Sequence, residues 1–257
     1  MFINNFDPVA FQILSLEIRW YSLAYIMGII LGWTYCKKKL ITDQHILGLF
    51  DDFITYAVIG IILGGRLGYA IFYNLKYYLE NPLEIMMIWN GGMSFHGGLI
   101  GVILATQLFA KKYKVNQFIF LDLVALSAPI GIFFGRIANF INSELIGRAA
   151  DLPWSVQFVL VDNIKRHPSQ LYEAFFEGII LFLLLGYFFK KNYLQNPGKI
   201  SALFLIFYSL FRFFAEFFRS PDPQIGYLFL NLTLGQLISI FFLITGTLLF
   251  YLKNNEK

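Results

Sequence analysis

Seven long apolar segments, separated by polar connections, constrain the fold of this chain more than any other feature. An α-helix needs roughly 20 mostly apolar residues to cross the hydrocarbon layer of a bilayer. A segment in lipid must also satisfy its backbone hydrogen bonds internally, which predicts a helix for each segment. The predicted spans are residues 18–36, 53–73, 93–110, 118–141, 170–189, 200–218 and 234–252.

Composition supports a membrane location. Of the 257 residues, 58% are hydrophobic and 14% are charged, whereas soluble globular domains contain about 25% charged residues. No linker or low-complexity tract interrupts the chain, so a single membrane-embedded domain is expected over residues 1–257. The single cysteine, Cys36, excludes an intrachain disulfide and a cysteine-based zinc site. No cofactor and no metal are expected.

The distribution of lysine predicts the orientation. Clusters of lysine follow the first, third, fifth and seventh segments, so all four fall on one side of the membrane. The positive-inside rule assigns that side to the cytoplasm, with the amino terminus outside and the carboxyl terminus inside. These clusters also account for the net charge of +4 without a nucleic-acid partner. Residues 1–17 carry no basic region, and no removable signal peptide is expected.

Charged side chains lie within the apolar segments, near the outer side in the predicted topology. They are Arg66, Arg136, Arg212 and Glu216. A charge in the apolar layer is costly unless it is paired or hydrated, so such residues are candidates for function. The alternatives are side chains that extend to the headgroups and helix-to-helix salt bridges. For Arg219, at the end of a segment, we favour those alternatives.

Helical spacing places these residues on polar stripes. The stripes comprise Tyr208, Arg212, Glu216 and Arg219; Arg136, Asn139 and Ser143; and Arg66, Tyr69 and Tyr73. Stripes of this kind should face each other or water, which predicts an outward-facing cavity with an excess of cations. The planar guanidinium group suits phosphate, and Glu216 or Glu144 would hold an arginine without neutralising the site. This chemistry indicates that the ligand is a phospholipid, bound through its headgroup.

His96 lies between two pairs of glycines at the mouth of the third segment. A neutral imidazole there is a candidate proton acceptor, although a single membrane histidine is often a packing residue. Ser94 raises the alternative of a Ser–His hydrolase. A helical i, i+2 pair points in different directions and the chain has no G-x-S-x-G motif, so the hydrolase is disfavoured.

The stretch GRIANFINSELIGR, residues 135–148, closely resembles the signature of bacterial prolipoprotein diacylglyceryl transferases. Five further segments resemble the same family in the same order, so the resemblance covers nearly the whole chain. They are RWYSLAY at 19–25, GGRLGYAIFYN at 64–74, GGMSFHGGLIG at 91–101, RHPSQLYE at 166–173 and FRFFAEFFRSPD at 211–222.

The resemblance implies an enzyme of the bacterial cytoplasmic (inner) membrane with its active site towards the outer side. Such an enzyme moves the diacylglyceryl group of phosphatidylglycerol to the lipobox cysteine of a prolipoprotein signal peptide and releases glycerol phosphate. This is the first step of lipoprotein maturation. The matching site residues are His96, Arg136, Asn139, Glu144, Gly147 and Arg212, with Tyr21 and Glu216 at supporting positions. Arg136 matches the position linked to phosphatidylglycerol.

Two departures from the family pattern are present. Arg19 stands where the family commonly has histidine, so position 19 is not a required base. The segment between Arg148 and Arg166 is short, which implies a smaller outer elaboration.

The expected mechanism is attack by the substrate thiolate on the glyceryl carbon that bears the phosphate. Arg136 and Arg212 would hold the phosphate as it leaves, and would thus stabilise charge where it changes. His96 is the candidate base, although nearby cations could also lower the pKa of the thiol. The alternative is a lipid or organic-anion transporter that uses the same arginines and needs access from both faces. A third alternative, a structural scaffold protein, leaves the polar stripes unexplained.

Overall fold

The computed structural model describes residues 2–14, 16–191, 193–221 and 226–255, and these are mostly helical. They form two compact units. The first unit comprises Met1–Cys36 and Asp122–Lys257, and the second unit comprises Lys37–Leu121.

The helices and strands follow one another along the chain in this order. They are β1 (Phe2–Asn4), β2 (Val9–Ile13), β3 (Leu16–Arg19), α1 (Trp20–Tyr35), α2 (Gln44–Phe72), α3 (Leu75–Glu80), α4 (Phe95–Tyr113), α5 (Gln117–Ile141), β4 (Val156–Phe158), β5 (Lys165–Arg166), α6 (Ser169–Glu173), α7 (Leu181–Lys190), α8 (Lys199–Ala215) and α9 (Leu234–Asn255). A π-helical segment, Ala174–Ile180, joins α6 to α7 without a break, and another, Cys36–Leu40, extends α1.

Four helical stretches in the described part of the chain are long and apolar enough to cross a membrane. They are Gln44–Phe72, Gln117–Ile141, Ser169–Lys190 and Leu234–Asn255. They correspond to the second, fourth, fifth and seventh predicted spans, which confirms a multi-pass helical membrane protein. The other three predicted spans are also helical, as α1, α4 and α8. The helices α1 and α8 are shorter, at 16 and 17 residues, and α4 is less apolar. The count of seven spans therefore stays a prediction.

Two small sheets were not predicted. In the first, β4 lies between β1, with which it pairs in parallel, and β5, with which it pairs antiparallel. In the second, β2 pairs antiparallel with β3. Because Leu16–Arg19 is extended and paired, α1 begins at Trp20, two residues later than the predicted span. The β1–β4 pair joins distant segments, which periodicity along the chain does not reveal, and the other strands are too short for a clear pattern.

The first sheet encloses a small apolar core at the carboxyl end of α5. Phe140, Val156 and Phe158 are buried in it, and Ile146 and Leu171 pack against them. The buried side chain of Asn4 donates from Nδ2 to the carbonyl of Phe140 at 2.6 Å, which satisfies an acceptor at the end of α5. The sheet thereby fixes the position of the chain that leaves α5.

Asp122 is a buried residue of α5 that caps another helix. Its carboxylate accepts hydrogen bonds from the backbone of Gly198 at 2.8 Å and from the backbone and hydroxyl of Ser201 at 2.7 and 2.6 Å. The carboxylate thus caps α8 by accepting from backbone N–H groups that have no partner within the helix. The sequence did not reveal this role, because the partner Gly198 lies 76 residues away.

The second unit depends on close approach of α2 and α4. A Cβ atom at Gly64 would lie 2.8 Å from the Cα of Gly101, and one at Gly68 would lie 2.7 Å from the Cα of Gly97. Small residues at this spacing allow helices to pack backbone against backbone. Ser94 caps α4 by accepting from the backbone of Gly97 at 3.2 Å.

Candidate active site

Arg136 and Arg212 meet at one carboxylate in the first unit. Arg136, near the end of α5, has its Nε atom 2.8 Å from Glu173. Arg212, near the end of α8, has its Nη1 atom 2.9 Å from the other oxygen of the same carboxylate. Two helices far apart in sequence thus place their guanidinium groups against a single acidic residue of α6.

Glu177 is a second acidic residue shared by both arginines. Its carboxylate lies 3.2 Å from Nη2 of Arg136 and 3.9 Å from Nη1 of Arg212. Glu177 belongs to the π-helical segment Ala174–Ile180, and such segments occur frequently at functional sites. Gly178 allows this segment to pack against α5, because a Cβ atom there would lie 2.8 Å from the Cβ of Phe133.

Glu216 completes the group at the end of α8. Its carboxylate lies 2.6 Å from Nη2 of Arg212 and 4.0 Å from Nη1 of Arg219, and it accepts from the hydroxyl of Thr233 at 3.0 Å. Gly235 leaves room for it, since a Cβ atom there would lie 2.9 Å from the carboxyl carbon. We call the six charged residues the Arg–Glu cluster: Arg136, Glu173, Glu177, Arg212, Glu216 and Arg219.

The Arg–Glu cluster is buried and its formal charges balance. The exposed fractions of the side chains are 17% for Arg136, 11% for Arg212 and at most 1% for Glu173 and Glu177. Among the residues that the structure describes, three arginines face three glutamates. The predicted excess of cations was therefore wrong, because the contribution of Glu173 and Glu177 was missed.

Glu144 lies in a tight turn directly after α5. Its carboxylate accepts from Nδ2 of Asn139 at 2.9 Å and of Asn142 at 3.4 Å, and its carbonyl accepts from Nε2 of Gln170 at 2.6 Å. The flanking residues Ser143 and Leu145 have φ values of 57° and 53°, a conformation that non-glycine residues adopt only when their surroundings enforce it. In the described structure the exposed Glu144 is held by amides, and of the two expected acids it is Glu216 that holds an arginine.

Gly147 lies where two backbones approach closely. It forms a β-bridge with Arg219, and its carbonyl accepts from Nη1 of Arg166 at 3.1 Å and from the hydroxyl of Ser220 at 2.9 Å. A Cβ atom at Gly147 would lie 2.8 Å from the Cβ of His167 and would also meet its carbonyl. The position thus links the turn after α5 to the chain that leaves α8.

The segment that follows Gly147 carries two titratable groups outside the predicted spans. The hydrogen bonds from Arg166 to Asp162, at 2.5 and 3.3 Å, hold the pKa of that carboxyl below its usual value. Burial lowers the pKa of His167, which lies 3.2 Å from the hydroxyl of Tyr172. Asp162 is therefore ionised near neutral pH and keeps its ion pair with Arg166, which also donates to the carbonyl of Gly147.

Tyr21 and His96, the remaining predicted residues, belong to α1 and α4. Tyr21 of α1 is partly buried, and its hydroxyl lies 3.4 Å from that of Tyr25. His96 lies in the first turn of α4 in the second unit, where Ser94 serves as the helix cap and not as a partner in a Ser–His pair. The catalytic roles of Tyr21 and His96 stay predictions.

Arg66, another candidate from the sequence, lies in the second unit, where it contacts backbone carbonyls. Its guanidinium donates to the carbonyls of Glu84 at 2.6 Å, Ile85 at 2.9 Å and Met87 at 3.1 Å, and also to those of Gly91 and Gly92. Five carbonyl partners on one arginine organise the loop that precedes α4. The side chain of Arg66 thus satisfies loop backbone, which is a structural role.

Glu173 and Glu177 are site residues that the sequence reasoning missed. Both lie within the predicted span 170–189 and are four residues apart, so they satisfy the same criterion that selected Arg136 and Arg212: a charge inside an apolar segment. A search of the apolar segments for acidic residues as well as arginines would have found them. The pairing of span five with spans four and six required the tertiary structure.

Four apolar helical stretches are long enough to span a membrane, and the Arg–Glu cluster is buried within apolar segments. Together these features define a multi-pass membrane protein with a polar site. The family model described as "Prolipoprotein diacylglyceryl transferase" matches residues 8–252 of the chain. The chain belongs to the prolipoprotein diacylglyceryl transferase family.

Individual relatives agree with this assignment across nearly the full length. The chain is 49% identical over 253 residues to a protein of Rickettsia bellii (strain OSU 85-389), with 96% of this chain and 95% of the relative covered. It is 51% identical over 239 residues to one of Azospirillum brasilense, with 91% and 89% covered. Both relatives are named phosphatidylglycerol–prolipoprotein diacylglyceryl transferase. These names support the transferase interpretation and not the transporter alternative.

Proposed function

We propose that this chain transfers the diacylglyceryl group of phosphatidylglycerol to the thiol of the lipobox cysteine of prolipoproteins, as the first step of bacterial lipoprotein maturation. The observation that carries the proposal is the match to relatives of that name at about 49% identity over nearly the whole chain. The products are a thioether-linked diacylglyceryl group on the protein and free glycerol phosphate.

The charged groups suit displacement at the glyceryl carbon that bears the phosphate. The substrate thiolate forms the new C–S bond, the C–O bond to phosphate breaks, and the electron pair leaves with glycerol phosphate. Arg136 and Arg212 offer guanidinium groups on one site, and such groups stabilise a departing phosphate. The thiol proton passes to a base, for which His96 is the candidate.

Glu144, Asn139 and Gly147 belong in this proposal as parts of the turn next to the arginines. The amide of Asn139 fixes the carboxylate of Glu144, while Gly147 links the turn to the chain at Arg219. An exposed carboxylate held by amides stays accessible, which suits contact with the polar glycerol headgroup. Tyr21 is proposed to support the site from α1, and Glu216 is proposed to orient Arg212.

We also propose the arrangement in the membrane. The chain forms one transferase domain with seven spans, the amino terminus outside, the carboxyl terminus in the cytoplasm and the site towards the outer side of the bacterial inner membrane. The lysine clusters after alternate segments support this orientation. Phosphatidylglycerol then reaches the site from the bilayer, and the prolipoprotein reaches it through its signal peptide.

The decisive experiment identifies the bond that breaks. Phosphatidylglycerol labelled in its glycerol phosphate headgroup is incubated with the purified protein and a lipobox peptide. We expect soluble labelled glycerol phosphate to appear in step with the lipidated peptide, which carries both acyl chains through a thioether that resists hydroxylamine. Accumulation of lysophosphatidylglycerol with one hydroxylamine-sensitive acyl group on the cysteine would instead establish acyl transfer.

A further inference from the structure

The turn directly after α5 has a backbone conformation that its own residues disfavour. The backbone of Ser143 donates to the carbonyl of Phe140 at 3.2 Å, and that of Glu144 donates to the carbonyl of Asn139 at 2.9 Å. This pattern ends a helix with one left-handed residue, and that position commonly holds glycine. Here it holds Ser143, with φ of 57°, and Leu145 is left-handed as well, with φ of 53°. Non-glycine residues keep this conformation only where the surrounding structure enforces it.

Two side chains at the start of α6 hold the backbone of this turn. The hydroxyl of Ser169 donates to the carbonyl of Leu145 at 3.1 Å, and Nε2 of Gln170 donates to the carbonyl of Glu144 at 2.6 Å. Ser169 and Gln170 are buried, with exposed fractions of 0% and 1%. A buried carbonyl that loses its donor is costly, because water does not readily replace the lost partner. The shorter of the two contacts is the one that bears on Glu144 itself.

The helix that holds this turn also carries a carboxylate of the Arg–Glu cluster. Gln170 lies one helical turn before Glu173 on α6, so the two side chains lie on the same face of the helix. Glu173 in turn contacts Arg136 at 2.8 Å and Arg212 at 2.9 Å. One short helix therefore fixes both the backbone of Glu144 and the carboxylate that the two arginines share.

We propose that Gln170 is a positioning residue for the transfer reaction, because its amide holds the backbone of Glu144 where the carboxylate meets the lipid headgroup. The inference rests on the proposed function, in which Glu144 contacts that headgroup. Asn139 fixes the carboxylate of Glu144 at 2.9 Å, whereas Gln170 fixes its backbone. With both ends held, Glu144 needs no rearrangement when the lipid binds. Groups held in this way contribute to rate, since a displacement of about 1 Å can cost about 100-fold.

The first test replaces Gln170 with methionine, which has a similar length and volume but no amide donor. For Gln170→Met, we expect kcat/KM for phosphatidylglycerol to fall about 10- to 100-fold, because Glu144 is no longer held in place. The KM for the lipobox peptide should stay within about twofold of wild type, since Glu144 is proposed to meet the lipid. Gln157→Met is the matched control. Gln157 donates to the exposed Asn163 at 3.1 Å, away from the turn, and its loss should leave the kinetic constants unchanged.

A double-mutant cycle determines whether Gln170 acts through Glu144. The four proteins are wild type, Gln170→Met, Glu144→Gln and the double variant. We expect the double variant to react within about twofold of Glu144→Gln alone, because no carboxylate remains for Gln170 to position. A residue that only supports the fold would lower activity by the same factor in both backgrounds. That result would overturn the positioning role.

Hydrogen exchange measures the turn without any substrate. In Gln170→Met, we expect the backbone N–H groups of Ser143 and Glu144 to exchange about tenfold faster than in wild type, because the turn opens more often. A peptide from α9 reports opening of the whole fold and should exchange as in wild type. If Glu144→Gln reacts too slowly for the cycle, this measurement decides. Unchanged exchange of the turn would overturn the inference.

The outcomes separate this inference from the proposed function. Wild-type kinetics of folded Gln170→Met would overturn the positioning role alone. If Gln170→Met does not fold, Gln170→Asn takes its place with the same expectations, because its amide is one methylene group too short for the contact. A wild-type protein that does not modify the peptide would overturn the proposed function, and hydrogen exchange would still show whether Gln170 holds the turn.

Discussion

At the scale of single residues, Arg136 illustrates why a guanidinium group is not interchangeable with another cation. Its Nε atom contacts Glu173 while its Nη2 atom contacts Glu177, so one planar group connects two carboxylates. A lysine ammonium group is a point charge and cannot reproduce this fork. The same geometry allows an arginine to hold two phosphate oxygens.

Arg136→Lys should therefore lower the rate of lipidation by at least about 100-fold while the protein stays folded, because the charge is kept and the fork is lost. The measurement is transfer to a lipobox peptide, with helicity and thermal unfolding as checks of the fold. Arg19→Lys is the matched control, since Arg19 is 62% exposed and pairs only with the exposed Glu17 in the described structure. Wild-type rates in Arg136→Lys would mean that point-charge attraction suffices.

At the scale of elements, the helices owe their ends to specific partners. Asp43 caps α2 locally by accepting from His45 and Ile46, a pattern visible in the sequence. Asp122 caps α8 from a different helix, so that α5 and α8 are fixed to each other at the ends opposite to Arg136 and Arg212. The depth of Arg212 within the first unit thus depends on a contact distant from the Arg–Glu cluster.

Asp122→Ala should destabilise the folded state by about 1–2 kcal/mol, because the backbone N–H groups of Gly198 and Ser201 lose their buried acceptor. Thermal or denaturant unfolding in detergent micelles measures the change. Asp151→Ala removes an exposed carboxylate and should stay within about 0.5 kcal/mol of wild type. Equal stability of the two variants would show that the cap contributes nothing measurable.

At the scale of the whole molecule, the lysine clusters make the proposed orientation testable. Cys36 is the only cysteine and it is buried, so one substitution gives a cysteine-free background. In Cys36→Ala cells, a cysteine introduced at Asn163, an exposed residue between β4 and β5, should react with a membrane-impermeant thiol reagent. One introduced at Asn255, the last residue of α9, should react only when the membrane is permeabilised. The reverse pattern of labelling would show that the topology is opposite to the proposed one.

The sequence by itself determined the class of protein, the helical segments and the family. Apolar runs and isolated charges are local properties, and backbone satisfaction in lipid turns an apolar run into a helix wherever it occurs. For this reason Arg136, Arg212 and Glu216 were recognisable as site residues before their partners were known.

Only the tertiary structure decided how those charges are used. Long-range contacts include the pairing of Arg136 and Arg212 with acidic residues of the fifth span, the cap from Asp122 and the pairing of β1 with β4. Long-range contacts depend on helix packing and on a π-helical segment that shifts the register of side chains, and neither has a period that one sequence displays. The sequence therefore suggested an excess of cations, whereas packing produced a neutral cluster.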